Sequence, residues 1–342
     1  MVRYIGFFGL FLLLVSLNKN EGSISKKEVR ITWPKYFPEP KYHFKNNPIT
    51  PAGFVLGRKL FYDEALSRDY TVSCNTCHQN NAAFAHTDHA LSHGIDSKIG
   101  NRNVPVIQNL IWKNEFMWDG GVNHIELQPI HPITSKLEMD GNFDQIIVRL
   151  RKNQTYITLF RKAFGDTLID SKRILLALTQ FTGSMISCNS RYDSMMLGKI
   201  RFNEQEQAGL IAFRNKCAGC HQEPLFTDFS YKNNGLTPDS FLNDIGRAKI
   251  SLNKEDIYRF QVPTLRNVER TYPYMHDGRY KKLSEVMNHY NRKSHFPGYT
   301  DEAVKNMEML SDKEKVDIVA FLLTLTDGIF ISNKKFSDPN FR

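Results

Sequence analysis

Cys74-Asn75-Thr76-Cys77-His78 and Cys217-Ala218-Gly219-Cys220-His221 repeat one pattern, C-x-x-C-H, and use four of the chain's five cysteines. In that pattern two thiols add to the vinyl groups of a haem, and the histidine that follows is held under the iron as its proximal ligand. The reading is two covalently bound haems c, one on Cys74, Cys77 and His78 and one on Cys217, Cys220 and His221. Two rival uses of the cysteines are a pair of redox dithiols and a single zinc site with its halves far apart. Neither explains the histidine after each pair, and zinc ribbons keep their halves within about 20 residues. Cys188, beside Met185 and Ile186, reads as a buried, inert thiol at the end of an apolar helix.

Working outward from the motifs, the chain echoes itself. Gly57-Arg58-Lys59-Leu60-Phe61 precedes the first motif as Gly209-Leu210-Ile211-Ala212-Phe213 precedes the second, which puts Gly and Phe four apart on one helical face. Arg102-Asn103-Val104 leads to Met117-Trp118-Asp119-Gly120, and Arg266-Asn267-Val268 leads to Met275-His276-Asp277-Gly278. Apolar spacing predicts helices from Phe54 to Phe61, Phe143 to Phe164 and Ser171 to Ile186. Asn203 with Glu206, and Ser311 with Glu314, fit capping boxes that start two more. No convincing set of alternating strands is found. The fold expected is mainly α, two cytochrome-c-like haem domains related by duplication. Residues 49–195 form the first and 196–330 the second, with an extended Pro- and aromatic-rich arm over 24–48 and a tail over 331–342.

At 342 residues the chain has room for two domains with ordinary cores. The hydrophobic share of 41% and charged share of 24% are those of a globular protein. Its formal charge of +9 is spread without a run of five basic residues, which argues against a nucleic-acid partner. Arg3 followed by the apolar stretch Ile5 to Leu17 and a polar segment has the layout of a secretory signal, so residues 1–23 read as a signal peptide or N-terminal anchor and the destination as the periplasm.

A further ordered set of motifs accompanies the two C-x-x-C-H sequences: Arg102-Asn103-Val104-Pro105, Phe116-Met117-Trp118-Asp119-Gly120, Gln128-Pro129-Ile130, Glu138-Met139, Thr264-Leu265-Arg266-Asn267 and Tyr272-Pro273-Tyr274-Met275-His276-Asp277-Gly278. From about residue 50 to 327 the chain thereby resembles the bacterial di-haem cytochrome c peroxidases and their MauG-type relatives. The resemblance implies a peroxidatic first haem and a low-spin second haem that relays electrons from a small donor. By matching position it makes Glu138 the acid/base carboxylate above the first haem, Gln128 its polar neighbour, and Trp118 the indole between the haems. A single carboxylate within reach of both peroxide oxygens can move the proton that heterolysis requires. Taken alone, Glu138 would be a surface glutamate and Trp118 a core residue.

The resemblance also implies a calcium ion held by Asn103 with the backbone of Thr271 and Pro273, oxygen donors that suit a hard cation. In the loop after the first motif, His93 is nearest the position of a distal iron ligand. His86 and His89 share that loop, and exposed loop histidines are the plain alternative. At the second haem the distal position holds Tyr290, as in the MauG-type enzymes, where the peroxidases have Met. Met275 and His289 are the other candidates, and a core tyrosine is the plain alternative. The activity expected is reduction of hydrogen peroxide to water with electrons from a small periplasmic carrier such as cytochrome c. A MauG-like oxidase acting on a protein substrate and a non-catalytic di-haem electron carrier are the rivals, and a homodimer is left open.

Overall fold

Thr50 ends an extended approach and starts the first helix: its hydroxyl accepts the Gly53 N–H at 3.0 Å, and Pro51 supplies a preset φ at the first helical position. From there the chain is mainly helical. The computed structural model describes residues 28–292, 296 and 298–340; the expected signal or anchor over 1–23 lies outside them, as do the first residues of the arm. The helices are α1 (Pro51–Phe61), α2 (Cys74–Cys77), α3 (Ile130–Thr134), α4 (Phe143–Arg151), α5 (Gln154–Phe164), α6 (Ser171–Thr182), α7 (Arg191–Met196), α8 (Glu204–Lys216), α9 (Ala248–Ser251), α10 (Leu283–Tyr290), α11 (Glu302–Lys305), α12 (Asp312–Leu323) and α13 (Gly328–Ile331). Extended pairing between named strands is confined, among the described residues, to β1 (Tyr231–Lys232) antiparallel to β2 (Phe260–Gln261), with Tyr231 opposite Gln261. No helix among them is long and apolar enough to cross a membrane.

Two apolar clusters form. The first joins Leu56, Leu60 and Phe61 of α1 to Tyr156 and Phe160 of α5 and Leu178 and Phe181 of α6. The second joins Leu210 and Phe213 of α8 to Ile318, Phe321 and Leu322 of α12, and it takes in Tyr192 of α7. The helix pairs at their centres meet in the same way. A β-carbon on Gly57 would collide with the Ala177 carbonyl and lie 2.9 Å from Phe181 Cβ; one on Gly209 would collide with the Asp317 carbonyl and lie 2.9 Å from Phe321 Cβ. Four residues on, Phe61 meets Phe181 with ring centroids 5.3 Å apart and Phe213 meets Phe321 at 5.0 Å. Each glycine lets two backbones touch, and each phenylalanine fills the space one turn further along.

The capping boxes at Asn203/Glu206 and Ser311/Glu314 form as read. Three local expectations need correction. The stretch from Phe143 to Phe164 is two helices, because Asn153 leaves helical geometry and its side chain accepts the Thr155 N–H to start α5 anew. The helix expected to reach Ile186 ends at Thr182, capped by Gly183, so Cys188 lies beyond it in a half-buried stretch. Finally, the partner of Asn267 in the internal echo is Asn109, not Asn103. Both Asn109 (φ 52°) and Asn267 (φ 61°) are left-handed residues that open a short 3₁₀ turn, and both stand eight residues before a left-handed Met, Met117 (φ 70°) and Met275 (φ 76°). Each also clasps the chain just past its long helix: Asn109 Oδ1 accepts from Ser187 N and Asn267 Oδ1 from Asp327 N.

The arm lies across the first cluster. Trp33 and Phe37 pack edgewise on Trp112 at 5.9 and 5.4 Å, and Trp112 Nε1–H donates to the Pro38 carbonyl. Tyr36 reaches further, donating to Asp193, which holds the fully buried Arg266 in a two-pronged ion pair. After α12 the chain returns to the first cluster, where Phe330 and Phe336 pack against Phe84.

Candidate haem sites

In the first motif, α2 is a single turn that holds Cys74 and Cys77, with His78 as its C-cap. The His78 Nδ1–H donates to the Phe84 carbonyl at 2.7 Å, made possible by the left-handed backbone of Phe84 (φ 59°). In the second motif the His221 Nδ1–H donates at 3.2 Å to the carbonyl of Phe226, also left-handed (φ 55°). Burial disfavours the charged form of both rings, lowering His78 to about 4 and displacing His221 in the same direction. A neutral imidazole anchored through Nδ1 has its Nε2 lone pair free for a metal. The four motif cysteines form no disulfide, and burial pushes their thiols up, to about 12 for Cys74 and Cys217 and about 11 for Cys77. These are not activated redox thiols. Among the described residues no three His, Cys, Asp or Glu side chains converge as a metal site, so the two pairs do not build one zinc centre. The donor sets therefore fit haem and fit neither rival.

Around the first motif, Cys77 Sγ–H donates to the His93 carbonyl at 3.4 Å, and the Ile95 N–H donates to the Glu138 carbonyl at 2.8 Å. The loop carrying His93 and the turn carrying Glu138 are thus tied together beside the motif. Burial raises the Glu138 carboxyl above the usual glutamate range, while His131, with Nδ1 3.7 Å from Oε1, pulls it the other way. Gln128 precedes α3 and Glu138 follows it, with no side-chain hydrogen bond between them. His93 stacks on His89 with centroids 4.2 Å apart, and His86 is buried behind them with Nδ1 unpartnered.

The second motif opens into a cavity of about 280 Å³ with a mainly apolar lining that includes Cys217, Cys220, His221, Met275 and Tyr290. Burial raises the Tyr290 phenol to about 12. His289, the neighbouring candidate, turns away from this cavity: it is buried, and its Nε2–H donates to the Asn234 carbonyl at 2.9 Å. The first half supplies Trp118, Lys113 and Asn103 to the same wall. Trp118 Nε1–H donates to the Asn103 carbonyl at 2.9 Å, and the Trp118 carbonyl accepts from Gln261 of the second half at 2.8 Å. Arg102 binds Asp119 at 2.7 Å and Asp244 at 2.6 and 2.8 Å. Asn103, Thr271 and Pro273 each line part of this cavity, and the Asn103 N–H donates to the His276 carbonyl at 2.7 Å.

A family model described as di-haem cytochrome c peroxidase matches residues 51–201. The methylamine utilization protein MauG of Methylorubrum extorquens is 35% identical over 300 residues, 84% of this chain and 82% of the relative. The chain belongs to the di-haem cytochrome c peroxidase family. Cytochrome c551 peroxidase of Nitrosomonas europaea is also similar, at 32% identity over 82% of this chain and 84% of its own length. A solved MauG-like protein associated with microbial copper homeostasis superposes with a TM-score of 0.84 at 29% identity, covering 91% of this chain and 99% of that one. The di-haem peroxidase BthA of Burkholderia thailandensis shares the fold, with a TM-score of 0.71 at 22% identity over 85% of this chain and 91% of its own. Membership makes the chain an oxidoreductase with two haems c.

Sequence reasoning passed over three residues at these sites. His131 carried a signal, standing beside Gln128-Pro129-Ile130. Lys113 carried a fainter one, a cation directly after the apolar run Leu110-Ile111-Trp112. Asn234 carried none.

Proposed function

We propose that the chain reduces hydrogen peroxide to water at the first haem, with electrons delivered through the second by a small periplasmic carrier such as cytochrome c. The observation that carries this reading is Glu138, a carboxyl with raised proton affinity tied to the loop beside Cys77. Its carboxylate takes a proton from one peroxide oxygen and gives it to the other, which leaves as water. Gln128 is the polar neighbour for the same substrate, and His93 the candidate distal ligand that withdraws before it binds. Cys74, Cys77 and His78 would hold one haem and Cys217, Cys220 and His221 the other; when bound, the haems would pass on two electrons from the carrier, and with two protons from solvent the remaining peroxide oxygen becomes the second water. Lys113, with no carboxylate within ion-pair distance among the described residues, suits a propionate of the second haem. Trp118 provides packing and an electron stepping stone between the two halves. Asn103 with the carbonyls of Thr271 and Pro273 is the candidate calcium site.

The matched glycine contacts and the Asn109/Asn267 turns support two cytochrome-c-like domains related by duplication. A second reading, MauG-like oxidation of a protein substrate, is favoured by Tyr290 in the cavity wall with His289 directed instead to the Asn234 carbonyl. Peroxide turnover with reduced cytochrome c, with and without prior half-reduction, tests the choice. Brisk turnover supports the peroxidase; peroxide-dependent spectral change without cytochrome oxidation supports the MauG-like enzyme. Two low-spin haems indifferent to peroxide would make the protein an electron carrier and overturn both.

A further inference from the structure

The cavity at the second motif brings two candidate iron ligands, Met275 and Tyr290, against one amide, Asn234. Asn234 Nδ2–H donates to the Met275 sulfur at 3.2 Å, and the Tyr290 phenol lines the same cavity, where burial raises its proton affinity and the Asn234 amide works against that rise. The amide cannot turn over without loss, because its Oδ1 accepts the Leu236 N–H at 3.2 Å. Its loop is also pinned. The Asn234 carbonyl accepts from His289, the residue next to Tyr290 on α10, and the carbonyls of Asn233 and Gly235 accept from Asp301 at 2.9 Å and Phe296 at 3.1 Å.

We infer that Asn234 is a positioning residue that decides which of the two side chains becomes the sixth ligand of the second haem iron, favouring Tyr290 over Met275. The inference rests on the reading that Tyr290 is the candidate ligand there. Its chemical basis is an asymmetry between the two acceptors. A thioether is a weak, neutral hydrogen-bond acceptor, so the amide gains little by staying with it. A metal-bound phenolate oxygen is anionic and keeps a lone pair for a donor, and a charge-assisted hydrogen bond is about twice as strong as a neutral one. The same amide thus holds the sulfur aside and rewards the oxygen for binding. Because His289 secures the Asn234 backbone from one residue away, loop and ligand keep a constant relation.

The test uses the holoprotein with both haems attached. Asn234→Leu removes the donor; it is expected to bring up the near-infrared absorption of His/Met ligation and to shift the potential of the second haem upward. Asn234→Leu with Met275→Leu is expected to lack that absorption. Asn234→Asp keeps the shape without the donor and serves if the leucine variant fails to retain haem. If both single variants keep the wild-type spectrum and potential while Tyr290→Phe alters them, Asn234 does not select the ligand although Tyr290 is one. If the wild type already shows His/Met absorption and Tyr290→Phe changes nothing, the Tyr290 reading fails and the inference falls with it.

Discussion

His131 Nδ1 lies 3.7 Å from Glu138 Oε1, across the turn that follows α3. Burial raises the Glu138 proton affinity and His131 opposes it. If the carboxylate must accept a proton first, the peroxide reaction loses rate as pH falls through the Glu138 pKa, which stands above that of an ordinary glutamate. His131→Asn removes the opposing cation, so this acid limb should move to higher pH. Stopped-flow rates across the pH range measure it, and a limb that stays in place would separate His131 from the proton transfer.

Glu138→Gln should leave both haem spectra nearly intact and slow the peroxide reaction by about 10²–10⁴-fold, the usual worth of a positioned acid/base. Gln128→Ala should cost less. Full turnover in Glu138→Gln at saturating donor would place the acid/base elsewhere.

Each motif lies against its own carbonyl anchor, Phe84 or Phe226, so haem attachment should fail at one site at a time. Cys217→Ala with Cys220→Ala should leave one haem by mass. His78→Gly should abolish peroxide turnover with the second haem still attached. Loss of both haems from either variant would mean that attachment is cooperative.

Lys113 faces the second cavity, where among the described residues its ammonium lies over the Phe116 ring at 5.9 Å and has no carboxylate partner, and burial lowers it to about 8. A positive charge beside a haem favours the reduced iron. Lys113→Met should therefore lower the potential of the second haem without preventing its attachment, as spectroelectrochemical titration would show; an unchanged potential would remove Lys113 from the haem environment.

Gly57→Ala and Gly209→Ala place a methyl group where a carbonyl of the facing helix already lies. Overpacking of this kind costs about 1–3 kcal/mol, and more where backbones must part. Both variants should unfold at lower temperature by circular dichroism. Equal midpoints to wild type would show that the helix pairs part without cost.

The sequence alone determined what is chemically local. Two thiols and an imidazole must lie within five residues to take a haem, so Cys74 to His78 and Cys217 to His221 were legible without any fold. Capping boxes at Asn203 and Ser311, and the Gly–Phe spacing of α1 and α8, span one helical turn and were equally plain. Tertiary structure decided what depends on direction. His289 and Tyr290 are neighbours in the chain, yet successive residues on a helix point about 100° apart, so one side chain ties down Asn234 from outside while the other lines the cavity. Asn103 and Asn109 both precede the Trp-Asp-Gly segment, and only the left-handed backbone of Asn109 reveals which one matches Asn267. Asn234 is 41 residues from Met275 and outside the five-residue pattern of either haem motif; the packing of its loop against α10 brings its amide to the sulfur.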